Sequence, residues 1–381
     1  MFPGRPTYAE IDLDALRHNF MEARRLAGED QKLLGIVKAD AYGHGAIPVA
    51  LALERMGADF IGVAITEEGV QMRRAGIKKP ILLLGGDYPG QETVLFKHHL
   101  TPILFDLETG RRLDAAARQA GVIHPYHLKI DTGMGRVGFQ LEELSGVLPV
   151  LRTFDSLRME GIISHFCVSD VPGDPFTEVQ RQRFREALAL VRGAGFEPDF
   201  RHIGNSAALL TLKMPECNML RPGVILYGAS PSAAFRFALD LHPVMHLRTT
   251  VVQVRHIPEG ASVSYGRSFI AARPTTLAAI PVGYADGYSR RLSKCGDVLI
   301  HGRRARVAGK VCMDWTLIDV TDIPDVRTGD VVTLLGRDGE EEITADEWAD
   351  KIGTISYEVF CQISKRVPRL YRGMGMESVL R

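Results

Sequence analysis

LLGIVKAD (residues 33–40) is the first of eight short apolar runs that decide the fold of this chain. Each run leads into a turn and then into an amphipathic helical stretch, of which TEEGVQMRRAG and LETGRRLDAAARQAG are examples. The other seven runs are DFIGVAI (59–65), PILLLGG (80–86), TPILFD (101–106), YHLKID (126–131), EGIISHF (160–166), PDFRHIGNS (198–206) and LRPGVILYG (220–228). Eight strands alternating with helices predict a (β/α)8 barrel, because the alternative, an open doubly wound sheet, usually has fewer strands.

The pattern changes after about residue 243. Segments rich in β-branched residues, such as TTVVQVRHI and DVVTLLG, are separated by Gly, Asp and Pro turns, with few helical stretches between them. We therefore predict an α/β chain of two domains. A barrel over residues 1–242 is followed by a mainly β domain over residues 243–381.

The composition argues against two classes of partner. The chain has 381 residues, with 46 Lys+Arg and 46 Asp+Glu, so its formal net charge is zero. Nucleic acids and anionic membranes both favour a basic surface. No apolar run approaches the roughly 20 residues of a membrane span, and the first residues lack the apolar core of a secretory signal. We expect a small-molecule substrate, with neither nucleic acid nor membrane as partner.

The cysteines indicate a reducing compartment. Five of them are scattered along the chain without any C-x-x-C pair. This spacing predicts neither a zinc site nor a disulfide framework. We therefore expect a cytoplasmic protein without a metal site.

Lys38 closes the first apolar run, where a barrel strand would reach the mouth. The C-terminal strand ends of a barrel carry the active site. A desolvated lysine with a lowered pKa forms a Schiff base readily, but a lysine can also simply extend into water at the rim. Both interpretations are open on position alone. The segment ADAYGHG (39–45) adds Tyr42 and a tight glycine turn before the next helix.

Two further loops have the composition of a phosphate site. GNSAA (204–208) and RPGVILYG (221–228) belong to the loops at the seventh and eighth strands. Barrels often bind phosphate in the loops after their last two strands. Asn205 and Ser206 could supply donors or N-cap bonds, and Gly223 would let the backbone approach an anion. Each could equally be an ordinary cap or turn residue.

Nine segments, taken together, resemble the bacterial alanine racemases. VKADAYGHG (37–45) resembles the cofactor-lysine segment of that family, and eight others match it in order along almost the whole chain: KIDTGMGRVGF (129–139), GIISHF (161–166), HIGNSA (202–207), RPGVILYG (221–228), SYGRSF (264–269), VGYADGYSRR (282–291), VCMDW (311–315) and ISYEVFCQISKRVPRLY (355–371). The resemblance implies a barrel that binds pyridoxal 5'-phosphate, a β domain and a homodimer with shared active sites. It also implies interconversion of L- and D-alanine for peptidoglycan synthesis.

Racemisation removes a proton from one face of Cα and returns it to the other face, which requires two acid/base groups. By the resemblance, Lys38 holds the cofactor aldehyde and acts on the D-alanine face. Tyr265 of the other subunit acts on the L-alanine face. Taken alone, a tyrosine in a β segment would not mark this role.

The resemblance also assigns cofactor and substrate contacts. Arg221 would face the pyridine nitrogen and keep it unprotonated, with the remaining cofactor residues being Tyr42, His165, Asn205, Ser206, Gly223, Val224 and Tyr357. Arg136 and the backbone N–H of Met313 would bind the substrate carboxylate. Lys129 matches a lysine that is often carbamylated in the family, although the sequence alone also allows Lys129 and Asp131 to pair with Arg136.

Supporting and entrance positions complete the assignment. His202 would support Tyr265 or Arg221, and the residues implied at the entrance are Tyr284, Arg290, Asp314 and Tyr357. Three residues depart from the usual family pattern, namely Lys310, Trp315 and Ser356. Of these, Trp315 bears on side-chain preference rather than on the type of reaction.

Three alternatives remain at this point. A racemase for serine or larger amino acids would need a wider entrance near Tyr284, Tyr357 and Trp315. A barrel decarboxylase would use an acidic group at the pyridine nitrogen and a cysteine from the second subunit. Arg221 and Tyr265 argue against that enzyme, although Cys312 is suggestively placed. A non-catalytic carrier of the cofactor would lack the second domain.

Overall fold

Eight parallel strands form the predicted barrel in a computed structural model that describes residues 4–236 and 238–375. Each of the first seven strands pairs with its neighbours in chain order, and the eighth pairs with the first at Lys32 and Met219. Backbone bonds from Asn218 to Arg201 (3.1 Å) and from Arg221 to Gly204 (3.2 Å) close the ring between the last two strands. The strands are Lys32–Ile36, Phe60–Val63, Ile81–Leu83, Leu100–Leu104, His124–Lys129, Leu157–Ile163, Phe200–His202 and Met219–Leu220. The predicted barrel is confirmed.

Amphipathic helices surround these strands because each has one apolar face to bury. The helix that precedes the first strand begins at an Asp12 cap, whose carboxylate accepts the Asp14 and Ala15 N–H groups at 3.0 Å. None of the helices within the described residues is both long and apolar enough to span a bilayer. The helices are Leu13–Ala27, Ala46–Arg55, Thr66–Arg74, Glu92–His98, Leu107–Ala120, Leu144–Leu151, Phe176–Gly193 and Ser206–Thr211, and Lys38–Tyr42 forms a short left-handed turn.

The second part of the chain is mainly β, as predicted. Its principal sheet has ten strands, and all its pairings except one are antiparallel. Nine of these strands are Met245–Thr250, Gln253–Ile257, Thr275–Ile280, Asp297–Ile300, Arg303–Val307, Thr316–Asp319, Val331–Asp338, Glu341–Ile343 and Arg369–Arg372. A small ribbon joins Ser262–Val263 to Phe269–Ile270. Two helices, Ala345–Ile352 and Ser356–Gln362, complete this part.

The tenth strand of that sheet comes from the beginning of the chain. Tyr8–Asp12 pairs antiparallel with Met245–Thr250 and parallel with Arg369–Arg372. The predicted barrel domain, residues 1–242, includes this strand. The division at residue 242 stays a prediction, and the terminal residues 1–3 and 376–381 of the two predicted domains lie outside the described residues.

The helix Ser356–Gln362 packs directly against the barrel mouth. The Phe360 ring lies 4.9 Å from the buried His44 ring. A side chain at Gly43 would collide with the Phe360 carbonyl, and Gly43 has a φ of +78° that favours glycine. This close approach fixes one wall of the cavity described next.

Candidate active site

A cavity of about 600 Å³ opens at the C-terminal mouth of the barrel. Its walls come mainly from the barrel, but helix Ser356–Gln362 of the second part adds Tyr357, Glu358 and Cys361. The predicted residues that line it are Lys38, Tyr42, Lys129, Arg136, His165, Asn205, Ser206, Arg221, Gly223, Val224 and Tyr357. The cavity thus gathers ten barrel positions that lie up to 186 residues apart in the sequence, together with Tyr357.

Lys38 is followed by a left-handed turn. Ala39, Asp40, Ala41 and Tyr42 have φ values between 52° and 55°. This conformation costs roughly 1–2 kcal/mol for each residue other than glycine. Such strain persists only where the surroundings impose it, and it concentrates at functional sites.

Glu68 and Asp40 hold this turn in place. One Glu68 oxygen accepts the Ala39 N–H at 2.7 Å, and the other accepts the Ala64 N–H at 2.8 Å. The Asp40 carboxylate accepts the Ala46 N–H at 2.8 Å. The start of the turn is therefore tied to the neighbouring strand, and its middle to the helix that follows. Glu68 was not among the predicted site residues; its only signal in the sequence is an acidic residue just beyond the second barrel strand.

The pKa of Lys38 is lowered, first by burial and then by the positive charge of Arg136. Arg221 adds a smaller effect in the same direction. Burial and two cations both favour the neutral amine. The side chain that lines the cavity is thus primed to act as a base or a nucleophile.

Arg221 is 4% exposed and bonded on several sides. One guanidinium nitrogen donates to the Ser164 and Ile203 carbonyls at 2.8 and 3.0 Å, and to His165 Nδ1 at 3.0 Å. Another donates to His202 Nδ1 at 3.1 Å. Burial lowers the pKa of Arg221 to about 10, which leaves it charged at neutral pH.

The hydrogen bond from Arg221 determines the tautomers of His202 and His127, which lie behind it. Since His202 Nδ1 must accept from Arg221, His202 Nε2 carries the proton and donates to His127 Nδ1 at 2.8 Å. His127 Nε2–H then points to a Glu160 carboxylate oxygen at 3.4 Å. Burial lowers the pKa of His127 and His202, so both stay neutral. Sequence analysis missed His127 and Glu160, because a histidine in a buried strand looks like an ordinary core residue.

Lys129 lies deeper in the same wall and is 4% exposed. Burial, followed by the charges of Arg221 and Arg136, lowers its pKa to about 7. Asp131 turns to its own loop, where it accepts the Gly133 N–H at 2.9 Å and the Gly135 N–H at 3.0 Å. The carboxylate thus anchors the loop that carries Arg136, which is a different role from the pairing considered above.

The two loops predicted for phosphate meet in the structure. Gly223 N–H donates to Ser206 Oγ at 2.9 Å. A Cβ atom added at Gly223 would lie 2.9 Å from Tyr42 Oη, so the space beside the tyrosine depends on glycine. Asn205, rather than Ser206, caps the helix Ser206–Thr211, by accepting the Ala208 N–H at 3.0 Å. The backbone N–H groups at a helix N-terminus, the close approach that glycine allows and side-chain hydroxyls are all suited to binding a phosphate group.

Two aromatic side chains flank that space. The Tyr42 ring lies 5.8 Å from the Tyr357 ring and 4.9 Å from the Tyr227 ring. Burial raises the pKa of Tyr42 and Tyr357, so both keep their hydroxyl protons and can donate them.

A second group of predicted residues lies elsewhere, on the surface of the β domain. Tyr265 is 69% exposed, Met313 52% and Tyr284 41%, and none of them lines the cavity. Tyr284 N–H donates to the Cys312 carbonyl at 3.0 Å, which brings Tyr284 beside Met313. Arg290 is exposed on the same domain, and Asp314 pairs with Arg366 at 2.7 Å.

The backbone around Tyr265 is strained. Ser264 and Arg267 have φ values of 67° and 49°, and Gly266 lies between them. Ser264 Oγ donates to the Lys310 carbonyl at 2.8 Å and accepts the Lys310 N–H at 3.1 Å. An exposed tyrosine on a strained, anchored turn is typical of a functional position.

Two family models match most of the chain: "Alanine racemase, N-terminal domain" at residues 11–231 and "Alanine racemase, C-terminal domain" at residues 244–371. A curated relative from Geobacter sulfurreducens named "Alanine racemase" is 48% identical over 372 residues, which cover 97% of each chain. An alanine racemase structure from Streptomyces lavendulae superposes with a TM-score of 0.93 at 36% identity, and the match covers 99% of this chain and 100% of that one. One from Bacillus anthracis with bound L-Ala-P gives 0.90 at 35% identity, covering 98% and 96%.

Proposed function

Since the chain belongs to the alanine racemase family, we propose how its residues interconvert L-alanine and D-alanine with pyridoxal 5'-phosphate. The observation that carries the proposal is Lys38, which lines the barrel cavity together with donors suited to a phosphate. The family assignment leaves no support for the decarboxylase and carrier alternatives. The relatives and structures compared are named as alanine racemases, and none supports a broader substrate range.

The cavity residues fit the proposed cofactor. Tyr42, Ser206, Gly223, Val224 and Tyr357 would hold its phosphate, and Asn205 would orient the helix that carries Ser206. Lys38 would hold its aldehyde end. When bound, pyridoxal phosphate supplies the electron sink for the charge left at Cα after proton removal.

Arg221 would control the ring nitrogen. Its fixed positive charge disfavours a second proton on a neighbouring atom, so the ring nitrogen would stay neutral. His165 and His202 accept from the guanidinium and keep it oriented. We propose that a neutral ring nitrogen draws less negative charge from Cα into the ring, and that this limits side reactions.

Lys38 and Tyr265 would be the two proton carriers. The lowered pKa of Lys38 gives it the neutral amine that can take a proton from Cα on the D-alanine side. Tyr265 is exposed and lies outside the cavity of its own chain. We therefore propose that Tyr265 of the partner subunit serves the L-alanine side, in an isologous homodimer.

The exposed face around Tyr265 supports this assembly. Large apolar side chains there are more than 40% exposed, namely Ile270, Tyr284, Met313 and Trp315. Surfaces of this kind often mark a protein contact. We propose that docking brings Met313 and its backbone N–H to Arg136, where the two bind the substrate carboxylate, with Lys129 orienting the arginine. Tyr284, Arg290, Asp314 and Tyr357 would then border the entrance.

We also propose a cytoplasmic location, where the free cysteines of this chain would stay reduced.

Mixed dimers test the shared site. Lys38→Ala and Tyr265→Phe chains should each be inactive alone, assayed by loss of circular dichroism and by Cα exchange of L-alanine in D2O. After denaturation and co-refolding with cofactor, a hybrid dimer contains one site with both Lys38 and Tyr265. Random mixing should therefore restore about a quarter of wild-type activity. Full activity of Tyr265→Phe alone would refute its role as a base, and an inactive mixture of refolded hybrid dimers would refute the sharing.

A further inference from the structure

A cluster of two histidines and an aspartate lies outside the barrel cavity. His18 is on the first helix, Leu13–Ala27, whereas Asp240 and His242 lie in the segment that leads from the barrel into the second part. We propose that these three side chains bind a divalent transition-metal ion of the zinc class. Among the residues that the structure describes, this is the one group of three or more His, Cys, Asp or Glu side chains whose donor atoms all lie within 4.8 Å of one another.

The donor atoms have the separations that a tetrahedral ion requires. His18 Nε2 and His242 Nε2 lie 3.6 and 3.5 Å from Asp240 Oδ2. Ligands about 2.0–2.2 Å from a tetrahedral zinc are about 3.3–3.6 Å apart. Two imidazoles and one carboxylate leave the fourth position to water, a common arrangement for zinc.

The two rings already face the same space. They stack with centroids 3.7 Å apart and planes 6° from parallel. The terminal torsion of a histidine is broad, so a tilt of each ring can make the two lone pairs converge. His18 Nε2–H donates to the Asp240 carbonyl at 2.8 Å, so metal binding through Nε2 would replace this hydrogen bond and leave the ring proton on Nδ1.

A buried asparagine fixes His242 against the helix of His18. Asn19 is 0% exposed, and its side chain both accepts the His242 N–H and donates to the His242 carbonyl at 2.8 Å. It also donates to the Leu226 carbonyl at 3.2 Å. The two histidine ligands are thereby held next to each other before any ion binds. This preorganisation lowers the entropic cost of forming the site.

The site is open to ions and has little competition from other charges. The side chains of His18 and His242 are 33% and 41% exposed, and that of Asp240 is 78% exposed. Glu22, one turn along the helix from His18, is engaged by Arg25 at 2.7 Å. A bound ion would join the first helix to the connection between the barrel and the β domain.

A metal titration of tag-free holoenzyme tests the proposal. Co2+ should give the visible absorption of a tetrahedral complex, and Zn2+ should displace it with one equivalent per chain. The variant His18→Ala should lose that equivalent, or bind it at least tenfold more weakly. His242→Gln, which keeps the backbone bonds to Asn19, should do the same. His256→Ala removes an exposed histidine of the β domain and should leave the titration unchanged.

Melting curves give a second readout that does not depend on racemisation. Zn2+ should raise the melting temperature of the wild type and of His256→Ala, but not that of the two ligand variants. An unchanged stoichiometry in His18→Ala and His242→Gln, or an octahedral cobalt spectrum alone, would overturn the proposal. If racemase activity stayed normal in both variants, the metal site would be separate from the catalytic machinery, as proposed.

Discussion

Replacing Lys129 by methionine should stabilise the folded protein at neutral pH. Its pKa is about 7 in the fold, against an ordinary value of 10.5, because of burial and of the charges of Arg221 and Arg136. A tenfold change in proton affinity corresponds to about 1.4 kcal/mol, so the fold disfavours the cation by about 4 kcal/mol at pH 7. Removing an unfavourable buried charge commonly gains about 1–4 kcal/mol, and we expect Lys129→Met to fall in that range.

The gain should depend on pH in a defined direction. Between pH 7 and 10.5 the unfolded chain binds the proton that folded Lys129 has lost, so wild-type stability rises with pH across this window. The advantage of Lys129→Met should be largest near pH 7 and below, and should vanish as the pH approaches 10.5.

Urea midpoints measured from pH 6.5 to 10 in CO2-free buffer would test this. Lys78→Met, which changes an exposed lysine, is the matched control and should show no such trend. If Lys129→Met were less stable than wild type at pH 7, or if its advantage did not shrink with rising pH, the reasoning would be refuted.

Carbon dioxide provides a second arm of the same test. A neutral amine adds CO2 and releases one proton, which leaves a carbamate anion on Lys129. That anion would be stabilised by the two arginines that disfavour the ammonium form. Added bicarbonate should therefore stabilise the wild type but not Lys129→Met, and a carbamate carbon should appear in the 13C spectrum of the wild type only.

Three further changes probe the cavity wall. Gly223→Ala, which places a methyl group against the Tyr42 hydroxyl, should weaken pyridoxal phosphate binding at least tenfold, as followed by absorbance titration, with little change in melting temperature. Glu68→Ala removes the hydrogen bonds that hold the left-handed turn and should lower cofactor affinity, although Glu68 is not among the residues proposed to contact the cofactor. An unchanged affinity would show that the turn keeps its conformation without Glu68. His127→Leu leaves the His202 Nε2–H without an acceptor and should cost about 1–3 kcal/mol in stability; His127→Asn, which keeps an acceptor, should cost less, and equal losses would contradict the tautomer assignment.

Hydrophobic periodicity was sufficient to predict the barrel, because most residues of its strands are buried and the strands lie in apolar runs. The last run agrees least with the structure: LRPGVILYG contributes only Leu220 to the short strand Met219–Leu220 and then forms a tight helical turn, Val224–Tyr227. Pro222 has no N–H to donate to a ladder, which explains the early end.

The strand Tyr8–Asp12 could not have been placed from the sequence. Its five residues alternate between buried and half-buried, but its partners Met245–Thr250 and Arg369–Arg372 lie more than 230 residues away. A pattern within one segment indicates a strand, yet it carries no information about which distant segment will pair with it.

The same limit applies to the side chains of the sites. Lys38 and the phosphate loops stand in recognisable segments, so resemblance could identify them. His127 bonds His202 and lies 3.4 Å from a Glu160 oxygen, and no spacing in the sequence marks these contacts. The expectation of a protein without a metal site stays a prediction, and the site proposed at His18 and His242 could not have been anticipated, because residues 224 apart have no spacing motif to recognise.

The four residues after Lys38 adopt the mirror image of an ordinary helical turn. For L-residues this handedness is unfavourable, but for D-residues the same backbone angles are the preferred ones. A chain prepared by peptide ligation with D-alanine at positions 39 and 41 should accordingly fold with a lower strain than the natural chain, while keeping Lys38 where it is. The enzyme that supplies D-alanine therefore contains, next to its own reactive lysine, a stretch of backbone in which that product would be the better building block.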